Sequence, residues 1–209
     1  MEMEPSMLKI YGHPASTCTR KVLMTAAELE LPYQLTTIDF TVGAHKQRPH
    51  LDRQPFGRVP AIDDDGFEMF ESRAIARYLD HKADGPLVPR DPQPRARMEQ
   101  WISIETSEFS GHAMKFIFEH VFGRKQDPAV LDAATASLDV TLGVLDRQLA
   151  STSCLAGDQL TLADIVYMPY LEYLTASPAG AQVERHPHVA AWWARLRDRP
   201  TWRRVTGKA

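Results

Sequence analysis

Between Ala83 and Pro94 the chain gathers Gly85, Pro86, Pro89, Pro92 and Pro94, and the hydrophobic pattern differs on the two sides of this stretch. Proline has no amide proton and a fixed φ, and glycine loses the most freedom when ordered, so no regular element runs through such a cluster. Two units joined by a linker over residues 83–94 are therefore expected. Upstream, Leu8-Lys9-Ile10-Tyr11 reads as a short strand broken by Gly12-His13-Pro14. Residues 17–30 then place Val22, Leu23, Ala26, Ala27 and Leu29 at helical spacing, with Pro32 closing the helix from beyond its end. Residues 33–40 are rich in strand formers. Residues 59–62 and 67–70 flank the polar turn Asp63-Asp64-Asp65-Gly66 as a hairpin, and a helix over 72–82 follows. This half spells βαβ and then ββα, an α/β unit over residues 7–82 behind a disordered start at 1–6.

Downstream the strand signal vanishes. Residues 95–122, 129–150, 161–176 and 188–198 all carry helical apolar spacing, so residues 95–209 read as an all-α domain. Thr161-Leu162-Ala163-Asp164 has the form of a capping box, in which the Thr hydroxyl and the acidic side chain each take a backbone N–H at a helix start.

Charge and cysteine content narrow the function. The 24 basic and 27 acidic residues leave a formal charge of −3, which argues against nucleic acid as a partner. Two isolated cysteines, Cys18 and Cys154, suit neither a disulfide framework nor a metal site and fit a reducing cytoplasm. The acidic start lacks the form of a signal peptide, and no segment is expected to supply the ~18 apolar residues of a membrane span.

Chemistry concentrates at two helix starts. Ser16, Thr17 and Cys18 stand where unpaired N–H groups and the helix dipole favour an anion, although Ser16 or Thr17 also suits a plain N-cap. Glu71-Ser72 repeats the pattern after the second hairpin strand.

These stretches closely resemble the glutathione transferase family, specifically its phi class and bacterial relatives. The resemblance runs through Tyr11-Gly12 and Ser16-Thr17, Ile38-Asp39-Phe40-Thr41 with His45-Lys46, Pro55-Phe56-Gly57-Arg58-Val59-Pro60, and Phe70-Glu71-Ser72-Arg73-Ala74-Ile75. It continues in Leu160-Thr161-Leu162-Ala163-Asp164 and Pro187-His188-Val189 through Trp192-Trp193 to Arg199-Pro200, and so covers nearly the whole chain. It implies a thioredoxin-like N-terminal domain that binds glutathione and an all-α C-terminal domain, assembled as a homodimer, with glutathione as co-substrate and no further cofactor.

Residue by residue, the resemblance implies that Ser16 donates its hydroxyl to the glutathione sulfur. Ser72 takes the γ-glutamyl carboxylate and Glu71 its amino group. Val59, ahead of a cis Pro60, hydrogen-bonds the cysteinyl backbone, while His45, Lys46 and Arg58 surround the glycyl carboxylate. The thiolate then attacks a hydrophobic electrophile or reduces a peroxide. The electrophile pocket is expected between the domains at His13, His112 and Phe116. For Phe116 the alternative is helix core, and for His112 plain surface. Cys18 is the rival sulfur partner, since some relatives use a cysteine near this helix start for thiol-disulfide exchange through a mixed disulfide. Reductive dehalogenation and a non-enzymatic, transferase-like binding module are the remaining alternatives.

Overall fold

The computed structural model describes residues 7–208; the start expected to be disordered, residues 1–6, lies outside them. The chain divides into two compact units. One runs to Gly85 and takes in the segment from Pro200, and the other is Pro86–Arg199.

The first unit is built on β1 (Leu8–Gly12), α1 (Thr17–Glu28), β2 (Tyr33–Thr37), α2 (His50–Arg53), β3 (Ala61–Asp64), β4 (Phe67–Phe70) and α3 (Ser72–Lys82). The strands form one sheet in the order β2-β1-β3-β4, with β1 parallel to β2 and antiparallel to β3, which pairs antiparallel with β4. Helices α1 and α3 pack together. Ile10, Ile62, Val22, Met24, Ile75 and Leu79 are almost wholly buried and form the core. Gly12 closes β1 because a Cβ there would lie 2.5 Å from the Thr19 side chain, a distance no packed side chain tolerates.

The expected strand over 33–40 ends at Thr37, and the helix α2 and a single 3₁₀ turn at Ala44–Lys46 were not legible as elements. The hairpin over 59–62 and 67–70 is shifted, with its first strand starting after Pro60. Asp64 on β3 joins the sheet to α3: it accepts hydrogen bonds from Lys82 Nζ at 2.6 Å and from the Tyr78 hydroxyl at 2.5 Å. Burial opposes its ionisation, but these two donors outweigh burial and hold the Asp64 carboxyl below the usual range. Burial and the neighbouring carboxylate push the Tyr78 hydroxyl up to about 12.

The second unit holds α4 (Pro92–Ile104), one π-helical turn (Glu105–Phe109), α5 (Ser110–His120), α6 (Pro128–Leu149), α7 (Leu162–Ile165), α8 (Met168–Thr175), α9 (Gly180–Glu184) and α10 (Pro187–Arg197). The helix expected over 161–176 is split between α7 and α8. Pro169 has no N–H to return to the carbonyl of Ile165, so the ladder is interrupted there. Helix α6 has 22 residues with an 18-residue stretch of mean hydropathy 1.3, the length and composition of a membrane span, which the sequence was not expected to contain. It buries Leu138, Leu142, Leu145 and Leu149 and packs against α5 and α10.

The expected 95–209 domain differs from the observed unit at both ends: the unit begins at Pro86, and α4 opens at Pro92 inside the expected 83–94 linker because proline suits the first helical turn. Beyond the last expected helix, at 188–198, Pro200 opens a further one, α11 (Pro200–Thr206), because proline suits the first helical position. Helix α11 buries Trp202 and Val205, packs on α1 and hydrogen-bonds Glu28 through the Thr201 hydroxyl, so it belongs to the first unit.

The expected capping box is present at Thr161 and Asp164. The buried Asp164 carboxylate accepts from the N–H groups of Leu155 and Thr161, each at 2.9 Å, and from Trp192 Nε1 at 3.1 Å, tying α7, α10 and the 151–160 loop together. Burial pushes the Asp164 carboxyl up, while these donors oppose that shift.

Removing a carboxylate that serves several buried donors strands all of them, so Asp164→Ala is expected to lower unfolding free energy by about 3 kcal/mol or more, read from chemical denaturation. For Asp64→Asn the sign follows from a lowered native pKa. Its loss of thermal stability is full near neutral pH and begins to close only below about pH 3.8, where the unfolded carboxyl takes up protons. Melting curves of parent and variant at pH 7 and pH 3 check this.

Candidate active site

The register across the sheet sets the site. Thr36, Tyr11, Ala61 and Phe70 lie in one row. The positions one step beyond that row are Gly12 at the end of β1, Pro60 ahead of β3 and Glu71 after β4, so three candidate segments leave the same end of the sheet. The two interstrand steps from β1 to β4 span about 9.6 Å, and an extended tripeptide reaches about 10 Å.

Ser16 is the N-cap of α1 at φ −74°, ψ 126°, and its Oγ accepts the Thr19 N–H at 3.3 Å. The cap reading is therefore correct, but it does not compete with a catalytic one. Capping uses a lone pair of the oxygen, and among the described residues nothing accepts the hydroxyl proton, which is left for a ligand. Ser16 N–H donates to the His13 carbonyl at 2.8 Å, closing a tight turn. Cys18 is a half-buried free thiol in the first turn of α1. Two residues along a helix correspond to a rotation of about 200°, so Cys18 and Ser16 do not share a face.

His13 is held on both sides. Its Nδ1 accepts the Ala15 N–H at 3.1 Å, which leaves the ring proton on Nε2. Its ring stacks on Phe40 at 5.0 Å, and Phe40 meets His45 edge-on at 5.0 Å. Phe40 thus links the loop before α1 to the segment carrying His45 and Lys46. Sequence reasoning quoted Phe40 as part of a motif without giving it a role.

Lys46 Nζ donates to the Phe56 carbonyl at 2.9 Å. Gly57 sits at φ +59°, and a Cβ there would lie 2.7 Å from the His45 carbonyl, so only glycine lets the 54–57 loop approach this closely. These contacts bring His45 and Lys46 beside the loop that carries Arg58, whose side chain is exposed.

The Val59-Pro60 peptide is cis. Neither backbone group of Val59 has a hydrogen-bond partner among the described residues, which leaves an open donor and acceptor of the kind an added peptide strand uses. Glu71 precedes α3 at φ +76°, ψ 104°, with its side chain exposed, and Ser72 is buried at the first helical position. On α5, His112 is half-buried and Phe116 is 6% exposed within the helical unit.

The chain matches known proteins over nearly its whole length. Residues 6–81 match the family profile described as glutathione S-transferase, N-terminal domain, and residues 109–200 match its C-terminal counterpart. Glutathione S-transferase F7 of Arabidopsis thaliana is 36% identical over 95% of this chain and 98% of its own length. The chain belongs to the glutathione S-transferase family. The crystal structure of glutathione transferase F7 from Populus trichocarpa superposes with a TM-score of 0.91 at 34% identity, covering 97% of this chain and 99% of that one. Glutathione S-transferase I from maize, solved with an atrazine glutathione conjugate, gives 0.89 at 31% identity, covering 97% and 98%. The relatives are plant phi-class enzymes, as the motifs implied.

Within this family fold, Glu71 is one of four non-glycine residues at positive φ among the described residues, a conformation that strains such a residue by about 1–3 kcal/mol. Glu71→Gly is expected to leave the melting temperature unchanged or raised, and Glu71→Gln, which keeps the strain, to melt no higher than the parent. Thermal melts of parent and both variants check this.

Proposed function

We propose that the protein conjugates glutathione to hydrophobic electrophiles, with Ser16 stabilising the reacting thiolate. The observation that carries this reading is the Ser16 hydroxyl, fixed by the Thr19 N–H and with its proton unclaimed, at the start of a twelve-residue helix. A free thiol has a pKa of about 8.5, and lowering it by about two units requires roughly 2.7 kcal/mol of preference for the thiolate. One hydroxyl donor to a charged acceptor and a helix N-terminus together supply that much. Ser16 is a hydrogen-bond donor here, not a nucleophile; the glutathione sulfur attacks the electrophilic carbon and the leaving group departs.

The other positions fill the remaining contacts of the tripeptide. Val59 offers its open N–H and C=O to the cysteinyl residue. Ser72 and Glu71 receive the γ-glutamyl end at the start of α3, and His45, Lys46 and Arg58 supply donors for the glycyl carboxylate. His13, with its proton on Nε2, and the half-buried His112 are proposed to face the electrophile, while Phe116, almost wholly buried, fits the helix-core alternative. A homodimer in the cytoplasm, working without nucleic acid, membrane, metal or further cofactor, completes the reading. Phe56 at 63% exposure and Phe67 at 50% are the kind of aromatic surface a second subunit covers. The maize relative's conjugate is a precedent for the same chemistry in a protein of this fold.

Ser16→Ala is expected to raise the pKa of enzyme-bound glutathione by about two units and to lower kcat/KM near pH 6.5 by roughly a hundredfold, with glutathione still bound. Cys18→Ser is expected to change the rate less than about threefold. Thiolate absorbance and pH-rate profiles decide between them: a large loss at Cys18 with Ser16 dispensable would move the protein to thiol-disulfide exchange.

A further inference from the structure

The short helix α2 contains none of the residues singled out from sequence, yet two buried polar side chains at its ends serve one segment. Arg53 fastens the helix to the sheet. Its Nε donates to Glu68 of β4 at 2.9 Å, and its guanidinium lies 4.2 Å from the centre of the Tyr11 ring on β1. At one end of the helix His50 is 3% exposed, and just past the other end Gln54 is 2% exposed. Both reach Arg58. His50 Nε2 is 2.6 Å from the Arg58 carbonyl, and Gln54 Oε1 accepts the Arg58 N–H at 3.1 Å. A carbonyl only accepts, so His50 carries its proton on Nε2. Its Nδ1 is buried with no hydrogen-bond partner among the described residues. A buried imidazole in this state forgoes one hydrogen bond in order to hold one backbone carbonyl.

Arg58 is the residue that needs holding. Gly57 before it has the freedom of φ +59°, and Val59 after it enters the cis peptide with both backbone groups open. With the Arg58 N–H and C=O clamped by buried side chains, the next peptide unit is set before any ligand arrives, and the ordering loss on binding falls. We propose that His50 and Gln54 are positioning residues for glutathione affinity: they fix the Arg58 backbone and so aim the open groups of Val59. This rests on the reading of Val59 as a glutathione contact.

The test is kinetic, on the full chain. His50→Leu and Gln54→Met remove the hydrogen bonds with little change in volume. Each is expected to raise glutathione KM at least about tenfold while kcat at saturating glutathione and the bound-thiol pKa stay within about twofold of the parent. His50→Gln, whose amide can still donate, and Gln54→Glu, whose carboxylate can still accept, are expected to recover most of the loss. A KM within about threefold of the parent in the two apolar variants overturns the proposal, as does failure of both conservative variants to rescue it. Ser72→Ala is run in parallel. If it raises KM while His50→Leu and Gln54→Met do not, positioning alone fails; if it too leaves KM unchanged, the glutathione site itself is misplaced. The parent provides a measurement independent of variant folding. Its Arg58 amide is expected to exchange with deuterium at least about tenfold more slowly than an unprotected amide, and exchange at the unprotected rate overturns the clamp.

Discussion

The antiparallel pairing of β1 with β3 is the constraint on which the rest of the site depends. Tyr11 opposite Ala61, and Ala61 opposite Phe70, fix where each strand stops relative to its neighbours. A slip of one residue would move Pro60 relative to Gly12 and send every side chain of β3 to the other face, taking Ile62 out of the core. The register is therefore enforced by burial in the sheet's interior, and the alignment of Gly12, Pro60 and Glu71 at one end follows from it. The candidate site at that end inherits its precision from the packing of Ile10 and Ile62, which are wholly buried.

Local backbone rules are broken where the candidate site residues gather. Glu71 stands at a positive φ, Gly57 approaches the His45 carbonyl, and Val59 keeps an unused donor and acceptor. Each is unfavourable by itself and is held by ordered surroundings: α3 behind Glu71, Lys46 bonded to Phe56, and the buried His50 and Gln54 around Arg58. Structural anchors elsewhere follow the opposite pattern, with polar groups fully matched. Asp164 meets several donors with one carboxylate, and Asp64 meets Lys82 and Tyr78.

Legibility from sequence followed the range of the interaction. The strands at Leu8–Gly12 and Phe67–Phe70, the helix at Ser72–Lys82 and the Thr161 capping box depend on neighbours within a few residues, and each was readable. Helix α2 was not, because a four-residue helix has no apolar period to detect and is held by Arg53 reaching strands far along the chain. The same applies to α11. Its seven residues hold too short an apolar period to detect, and only the burial of Trp202 and Val205 in the first unit accounts for it. At the site, residue types were readable and partnerships were not. Ser16 could be named, but whether capping exhausted its hydroxyl turned on which of its atoms the Thr19 amide meets.

The sequence by itself determined the two-unit division, the α/β and all-α character of the units, and the motifs that place the chain in its family. These follow from proline and glycine positions, hydrophobic period and residue type, all of which are local properties. Tertiary structure alone decided that the chain end returns to the first unit, that Phe40 bridges His13 and His45, and that Arg58 is gripped by His50 and Gln54. Those contacts join segments whose approach is set by sheet register and core packing, and no local pattern of residues records where a folded chain brings its distant parts together.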